Sequence, residues 1–257
     1  MLILLPPSEG KTAPRRGAPL DLDSLSHPSL TAVRQRVMSA LVAVSRRTDA
    51  TGLLGIGDTR TDLVERNLAL ATAPTARADR IYTGVLYDAL GFADLSPAAR
   101  RRAATRVAVT SSLFGLVRPP DRIPAYRLSG DTTLPGLGPV ASAWREVLEE
   151  AVTDSLGRGL LVDLRSGTYA GFWRPAPALA RRVATVRVLH ESGGERSVVS
   201  HSNKATKGRI VRALLEDGRA PRTPAALAGV LRDLGWTVEE GPPTVRGTRV
   251  DVVVGST

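Results

Sequence analysis

The sequence predicts an α+β fold: a mixed β-sheet with several surrounding helices, in a single domain over residues 1–257. Three observations carry this. Strand-like runs recur at 2–5, 106–112, 160–163, 183–190, 197–201, 236–240 and 245–254. Helical patterns fall between some of these runs but do not alternate strictly with them, which argues against a doubly wound sheet. No internal repeat or linker divides the 257 residues, a length that allows one large domain or two small ones.

Leu2-Ile3-Leu4-Leu5 is continuously apolar and reads as a buried strand. It runs into Pro6-Pro7-Ser8-Glu9-Gly10-Lys11-Thr12, a turn with an amide-rich, cationic tip. Gly10-Lys11-Thr12 has the ending of a phosphate-binding P-loop, but that motif needs a glycine five positions before Gly10. Leu5 stands there, so a P-loop NTPase is rejected and a weaker anion-site signal remains. Residues 13–28 are rich in Pro, Gly and Asp and read as loop. Helical patterns follow at 29–46, 51–55 and 59–72. Tyr82 and Tyr87 lie five apart, off a common helical face, and core is the preferred reading for Tyr87. Ser96 and Pro97 open a helix over 96–105 from cap and N1 positions.

After the strand at 106–112, prolines at 119, 120 and 124 prevent a long regular element. The stiff stretch from Leu113 to Leu128, with Arg118, Tyr126 and Arg127, either lines a site or is a loop tied down by Arg–Asp pairs. Leu134-Pro135-Gly136-Leu137-Gly138 resembles the hairpin of a helix-hairpin-helix element. Residues 129–133 are not helical, so its glycines read as a turn ahead of an amphipathic helix from Pro139 to Leu156. Small residues after the strand at 160–163 make a close-approach turn whose polar groups are Ser166 and Tyr169. A hairpin is predicted between 183–190 and 197–201, a helix over Pro224–Leu234 opened by Thr223, and a closing hairpin over 236–254.

The most informative stretch is His201 to Arg209. The chain holds 35 basic residues, and only Lys11, Lys204 and Lys207 are lysines. Lysine is a compact charge whose pKa falls on burial, suited to phosphate contact, proton transfer or imine chemistry. With Ser202 or Asn203 as N-cap, a helix runs to about Leu215. On its wheel both Lys204 and Lys207 fall at the N-terminal end of the apolar face of Ile210, Val211, Leu214 and Leu215, and so are expected to point inward. The alternative is snorkelling to water. Gly208 leaves room for a ligand or another backbone.

A formal net charge of +10 favours polyanions such as nucleic acid or anionic membranes. The absence of cysteine excludes disulfides, thiolate catalysis and cysteine metal sites. The apolar start is too short for a signal sequence, and no stretch reaches membrane-spanning length. A cytoplasmic protein with no membrane partner is expected.

Several of these stretches, in order, resemble the YaaA family of peroxide stress resistance proteins. They are Leu4 to Thr12; Tyr82-Thr83-Gly84; Ser112 through Arg118 to Tyr126-Arg127-Leu128; Ser166 with Tyr169; and Lys204, Lys207, Gly208 and Arg209. Two departures stand out. Pro6 to Gly10 stands where some members have a shorter Pro-Ala turn, and Thr168 replaces an acidic residue that other members have before the tyrosine. The resemblance implies an α+β fold particular to the family, a positively charged cleft, a helix-hairpin-helix-like element, DNA binding with some preference for distorted duplex, and a role in limiting free iron and oxidative damage.

The leading expectation is therefore a DNA-binding protective protein. Arg118, Arg127, Lys204, Lys207 and Arg209 would neutralise phosphates. Ser8, Lys11, Thr12, Tyr82, Thr83, Gly84, Tyr126, Ser166 and Tyr169 complete the candidate DNA- or anion-binding set, with tyrosines stacking on unpaired bases. Binding would be largely sequence-independent and salt-sensitive. The alternative is an enzyme on a nucleotide or damaged base, with Lys204 or Lys207 as nucleophile or base, Ser8, Ser166 and Tyr169 as proton relays, Arg118 and Arg127 as anion clamps, and a small-molecule ligand in the cleft. No cofactor is expected and no metal: His27, His190 and His201 lack the spacing of a ligand set or a triad.

Overall fold

In a computed structural model of the chain, residues 1–57, 59–193, 195–197 and 200–255 are described, without the side chains of Glu195, Ser200 and His201. His201, part of the lysine stretch, thus lies outside the described side chains.

The strands are β1 (Leu2–Leu5), β2 (Val107–Ser111), β3 (Gly115–Val117), β4 (Leu161–Asp163), β5 (Val183–Ser192), β6 (Glu195–Ser197), β7 (Thr237–Thr244) and β8 (Gly247–Gly255). They form one mixed eight-stranded sheet in the order β7-β8-β5-β4-β1-β2-β3, with β6 on β5. The helices are α1 (Thr31–Ser45), α2 (Thr61–Leu68), α3 (Val85–Leu90), α4 (Pro97–Arg106), α5 (Val140–Arg145), α6 (Leu148–Leu156), α7 (Ser200–Asp217) and α8 (Pro224–Asp233), with shorter turns between them. The expected α+β class with a mixed sheet is what is found.

Five strands at the centre, β8, β5, β4, β1 and β2, run parallel, and antiparallel β7 and β3 close the two ends. A central parallel strand is covered on both faces, so it reads as an unbroken apolar run. Leu2, Ile3, Leu4 and Leu5 are accordingly all sealed from solvent, each contributing roughly 1.5–3 kcal/mol of burial. Pro242 and Pro243 are tolerated in β7 because it is the edge strand and its register shifts between Glu240 and Pro243.

Most predicted elements hold with displaced ends. Ser96 Oγ accepts the Ala99 N–H and Thr223 Oγ1 accepts the Ala226 N–H, both at 3.2 Å, so two helices are capped as their sequences indicate. The long helix expected from Pro139 is two, broken between Arg145 and Leu148. The second strand of the hairpin is Glu195–Ser197 rather than 197–201, because α7 already begins at Ser200. Thr133–Leu134 pairs with Gly138–Pro139 about glycines of positive φ, so this segment is the turn expected and no helix precedes it.

One hydrophobic core runs from Leu2 to Val252. Helix α7 is locked onto α3 by Gly208: a Cβ there would stand 2.2 Å from the Leu86 carbonyl oxygen. Of the two uses foreseen for this glycine, close approach of another backbone is the one realised. Among the described residues no helix is long and apolar enough to cross a membrane.

Candidate functional site

The carboxyl ends of β1, β2 and β4 share one edge of the sheet, since these strands are parallel. Loops leaving a parallel sheet at that edge commonly build its binding sites. From β1 the chain turns through Pro6 to Gly10, and Lys11 makes an isolated antiparallel bridge with Tyr82. Ser8 Oγ donates to the Gly10 carbonyl and accepts the Thr83 N–H at 3.2 Å. Thr12 N–H donates to the Ile81 carbonyl at 2.9 Å. The Pro/Ser turn and the Tyr-Thr-Gly segment, remote in sequence, are thus laced together.

Lys11 Nζ donates to the carbonyls of Ser8 at 2.7 Å and Glu9 at 3.3 Å. It stands 4.3 Å from the Tyr126 ring centroid and 5.8 Å from that of Tyr82. The Glu9 carboxylate is directed to Arg127, at 3.2 Å. Burial first, then the charge of Arg127, with Arg66 adding and Glu9 opposing, brings the Lys11 ammonium down to about 7. An amine in this setting is divided between charged and neutral forms near neutral pH.

Lys11 lines a cleft of about 460 Å³ together with Glu9, Arg60, Leu63, Arg66 and Arg127. Arg127 is anchored by its main chain. Asn67, fully buried on α2, donates to the Arg127 carbonyl and accepts its N–H, both at 2.8 Å. The Arg127 side chain is 14% exposed, and its buried Nε has no hydrogen-bond partner among the described residues. Arg66 donates to the Lys11 carbonyl at 3.4 Å, and Arg60 pairs with Asp62 at 2.9 Å.

All four tyrosines of the chain gather beneath this turn. Tyr82 stacks on Tyr87 with centroids 5.4 Å apart, and its hydroxyl lies 3.2 Å from that of Tyr126, which in turn lies 2.8 Å from Ser111 Oγ. Tyr87 donates to the Pro6 carbonyl at 2.7 Å. Tyr169 packs on Phe172 at 5.0 Å. Burial raises all four phenols above their ordinary range. The expectation that Tyr82 or Tyr126 stacks on bases is corrected: both are almost sealed from solvent, because they form the floor of the turn. Burial, the largest cause, favours the neutral form of the Tyr169 phenol.

A second cluster follows β4. Asp163 takes the Arg165 guanidinium at 2.9 and 2.8 Å and its N–H at 3.0 Å, and Arg165 also donates to the carbonyls of Tyr169 and Trp173. This pair shapes the turn that carries Ser166 and Tyr169. Lys207 Nζ donates to the Leu164 carbonyl at 2.9 Å, and burial lowers its pKa against the opposing charge of Asp163.

The predicted residues therefore divide. Ser8, Lys11, Thr83, Tyr82, Tyr126 and Arg127 come together, with Thr12 and Gly84 exposed beside them. Lys207 points inward as expected, but Lys204 is exposed: cover at this end of α7 falls on Asn203 and Thr206, and the Lys204 side is left open. Ser166 and Arg209 are also exposed. Arg118 does not reach the cleft. Strand β3 reverses against β2, so Arg118 emerges at the opposite edge, donating to the Thr105 carbonyl at 2.7 Å and to Ser155 at 3.1 Å. The stretch from Leu113 to Leu128 thus combines its two readings: Arg127 lines the cleft, while the Arg118 end is tied down, Asp121 accepting the Arg118 main-chain N–H at 2.8 Å.

Sequence reasoning missed Arg60, Arg66, Asn67, Asp163 and Arg165. An aspartate inside the apolar run Leu160 to Leu164 was a usable signal for a buried ion pair. Nothing distinguished Arg60 and Arg66 among the many arginines.

The sequence model of a family described as peroxide stress protein YaaA matches residues 1–241. A UPF0246 protein of Streptomyces coelicolor is 50% identical over 99% of this chain and 98% of its own length. A UPF0246 protein of Corynebacterium efficiens is 44% identical over 93% and 95%, and one of Corynebacterium glutamicum is 41% identical over 94% and 96%.

Proposed function

Because the chain belongs to the peroxide stress protein YaaA family, we propose that it protects DNA during peroxide stress by holding backbone phosphates at the cleft above Lys11. The observation that carries this reading is the cation set there. Lys11, Arg60, Arg66 and Arg127 line the cleft, and among the described residues that line it Glu9 is the one carboxylate. Asp62 pairs with Arg60 and, at 3.8 Å, with Arg66, and Glu9 pairs with Arg127, so among the described residues cations outnumber carboxylates here and the excess positive charge favours an anion between them. The orphaned Nε of Arg127 is a donor that a phosphate oxygen would satisfy.

Recognition of this kind reads backbone rather than bases, so binding is largely independent of sequence. The buried tyrosines take no part in stacking. A distorted duplex, with phosphates splayed toward a concave site, fits such a cleft better than a regular one. Shielding the backbone in this way limits damage driven by free iron without requiring an iron ligand. The net charge of +10 speeds encounter with any polyanion.

Fluorescence anisotropy with duplex, bulged and single-stranded DNA over a salt series tests the reading. The wild type is expected to bind with a steep salt slope. An Arg66→Ala/Arg127→Ala variant is expected to bind more weakly, its slope shallower by about 0.9 for each phosphate it no longer neutralises. Equal affinities and equal slopes would remove the cleft from the path of DNA.

A further inference from the structure

We propose that Lys11 is an imine-forming amine, condensing with an aldehyde carried beside a phosphate that Arg66 and Arg127 hold. The proposal rests on the reading of the cleft as a phosphate site and names its ligand class. Neither the family description nor the candidates read from the sequence, Lys204 and Lys207, point to it.

Three observations converge on Lys11. The first is its chemistry. In a chain that uses arginine for nearly every cation, this position holds the side chain that can lose a proton and form a C–N bond. The second is its setting. Two carbonyls and an aromatic face hold the amine, and the nearby carboxylate of Glu9 is committed to Arg127. The charged groups coupled to it are Arg66, Arg127 and Glu9, and the adjoining phenols of Tyr82 and Tyr126 stay neutral. A fraction of neutral amine near pH 7 follows, which is the nucleophilic form.

The third observation is the space. A cleft of about 460 Å³ is of small-molecule size. That is room for one sugar-phosphate unit of a strand whose backbone lies across the cleft, or for a free sugar phosphate. The Arg127 Nε, buried and without a partner among the described residues, is the donor left over for the phosphate. An opened abasic deoxyribose in DNA presents an aldehyde beside phosphates, and so does a free sugar phosphate.

The step balances without an oxidant or reductant. The Nζ lone pair attacks the carbonyl carbon, and the C=O π pair moves to oxygen. The proton released from nitrogen ends on that oxygen, giving a carbinolamine. Loss of hydroxide, which leaves as water after taking up a proton, forms the C=N bond.

The test adds sodium borohydride to the full chain with a duplex bearing one abasic site, and separately with glyceraldehyde 3-phosphate. Intact duplex and unphosphorylated glyceraldehyde are the controls. An adduct that survives SDS and maps to the Lys11 peptide is expected, lost in Lys11→Arg and kept in Lys204→Ala and Lys207→Ala. Adduct on the oligonucleotide alone identifies DNA as the source of the aldehyde, and adduct on the triose phosphate alone identifies a free sugar phosphate. Absence of adduct, or an adduct mapped to Lys204 or Lys207, overturns the proposal. Intact-duplex binding, read separately by anisotropy, reports whether the phosphate reading survives. Peptide mapping in the wild type decides the matter even where Lys11→Arg folds poorly.

Discussion

Asn67 grips the main chain of Arg127 from both sides, its amide accepting the Arg127 N–H and donating to the Arg127 carbonyl at 2.8 Å each. A side chain on α2 thereby fixes a residue of an irregular, proline-rich stretch. In Asn67→Ala two buried main-chain groups lose their partners, each costing about 1–3 kcal/mol. Chemical denaturation should register that loss. Arg127 should also lose its fixed position, so DNA affinity should fall beyond what the remaining folded fraction explains. An affinity unchanged after correction for folding would show that Arg127 needs no such support.

Gly208 is the point where α7 meets α3. An alanine inside a helix is ordinarily favoured over glycine by about 1 kcal/mol. Here the added methyl would stand 2.2 Å from the Leu86 carbonyl oxygen and 2.9 Å from Ala89 Cβ, a backbone clash that cannot yield by rotamer change. Overpacking of this kind costs about 1–3 kcal/mol, so Gly208→Ala should lower the thermal midpoint. A rise would mean that the two helices separate freely.

The sheet and helices were legible because their periods are clear: continuous apolar runs for covered strands and capped amphipathic stretches for helices. That five strands run parallel was not, since a strand's pattern records its burial and not the direction of its neighbour. The same gap misplaced Arg118. Its motif is continuous with Tyr126 and Arg127 in sequence, but the reversal from β2 to β3 sends it to the far edge. Lys11 was legible as a rare lysine after a strand, and Lys207 from the helical wheel. Asn67 was not, because a polar residue on a helix ordinarily faces water and only the fold brings residue 127 to meet it.

His27 carries an acid-sensitive contribution to stability. Burial, then the charges of Arg118 and Arg34, lowers its imidazole from the ordinary 6.5 to about 4. The folded state therefore binds fewer protons than the unfolded one between those values. Stability is fully present above pH 6.5 and falls as pH drops toward 4. His27 also adopts φ 63°, a left-handed conformation in which asparagine is well tolerated. In denaturation midpoints measured from pH 7 to pH 4, His27→Asn should show a shallower decline than the wild type. Parallel profiles would show that the imidazole titrates alike in both states.

Asp163 and Arg165 form the most enclosed ion pair among the described residues, with side chains 9% and 2% exposed. Their attraction is offset by the cost of taking two charges out of water, so the pair as a whole adds little net stability. Its value is positional: Arg165 reaches on to the carbonyls of Tyr169 and Trp173 and sets the turn below Lys207. Asp163→Asn would leave the guanidinium buried against a neutral amide, a change that costs about 3–5 kcal/mol. Replacing both residues, as Asp163→Leu/Arg165→Met, should restore much of that loss while leaving the turn less ordered. Denaturation of the three proteins, with amide exchange at residues 166–173, separates the two effects. If the single variant is no less stable than the wild type, the pair is not isolated from water as its enclosure implies.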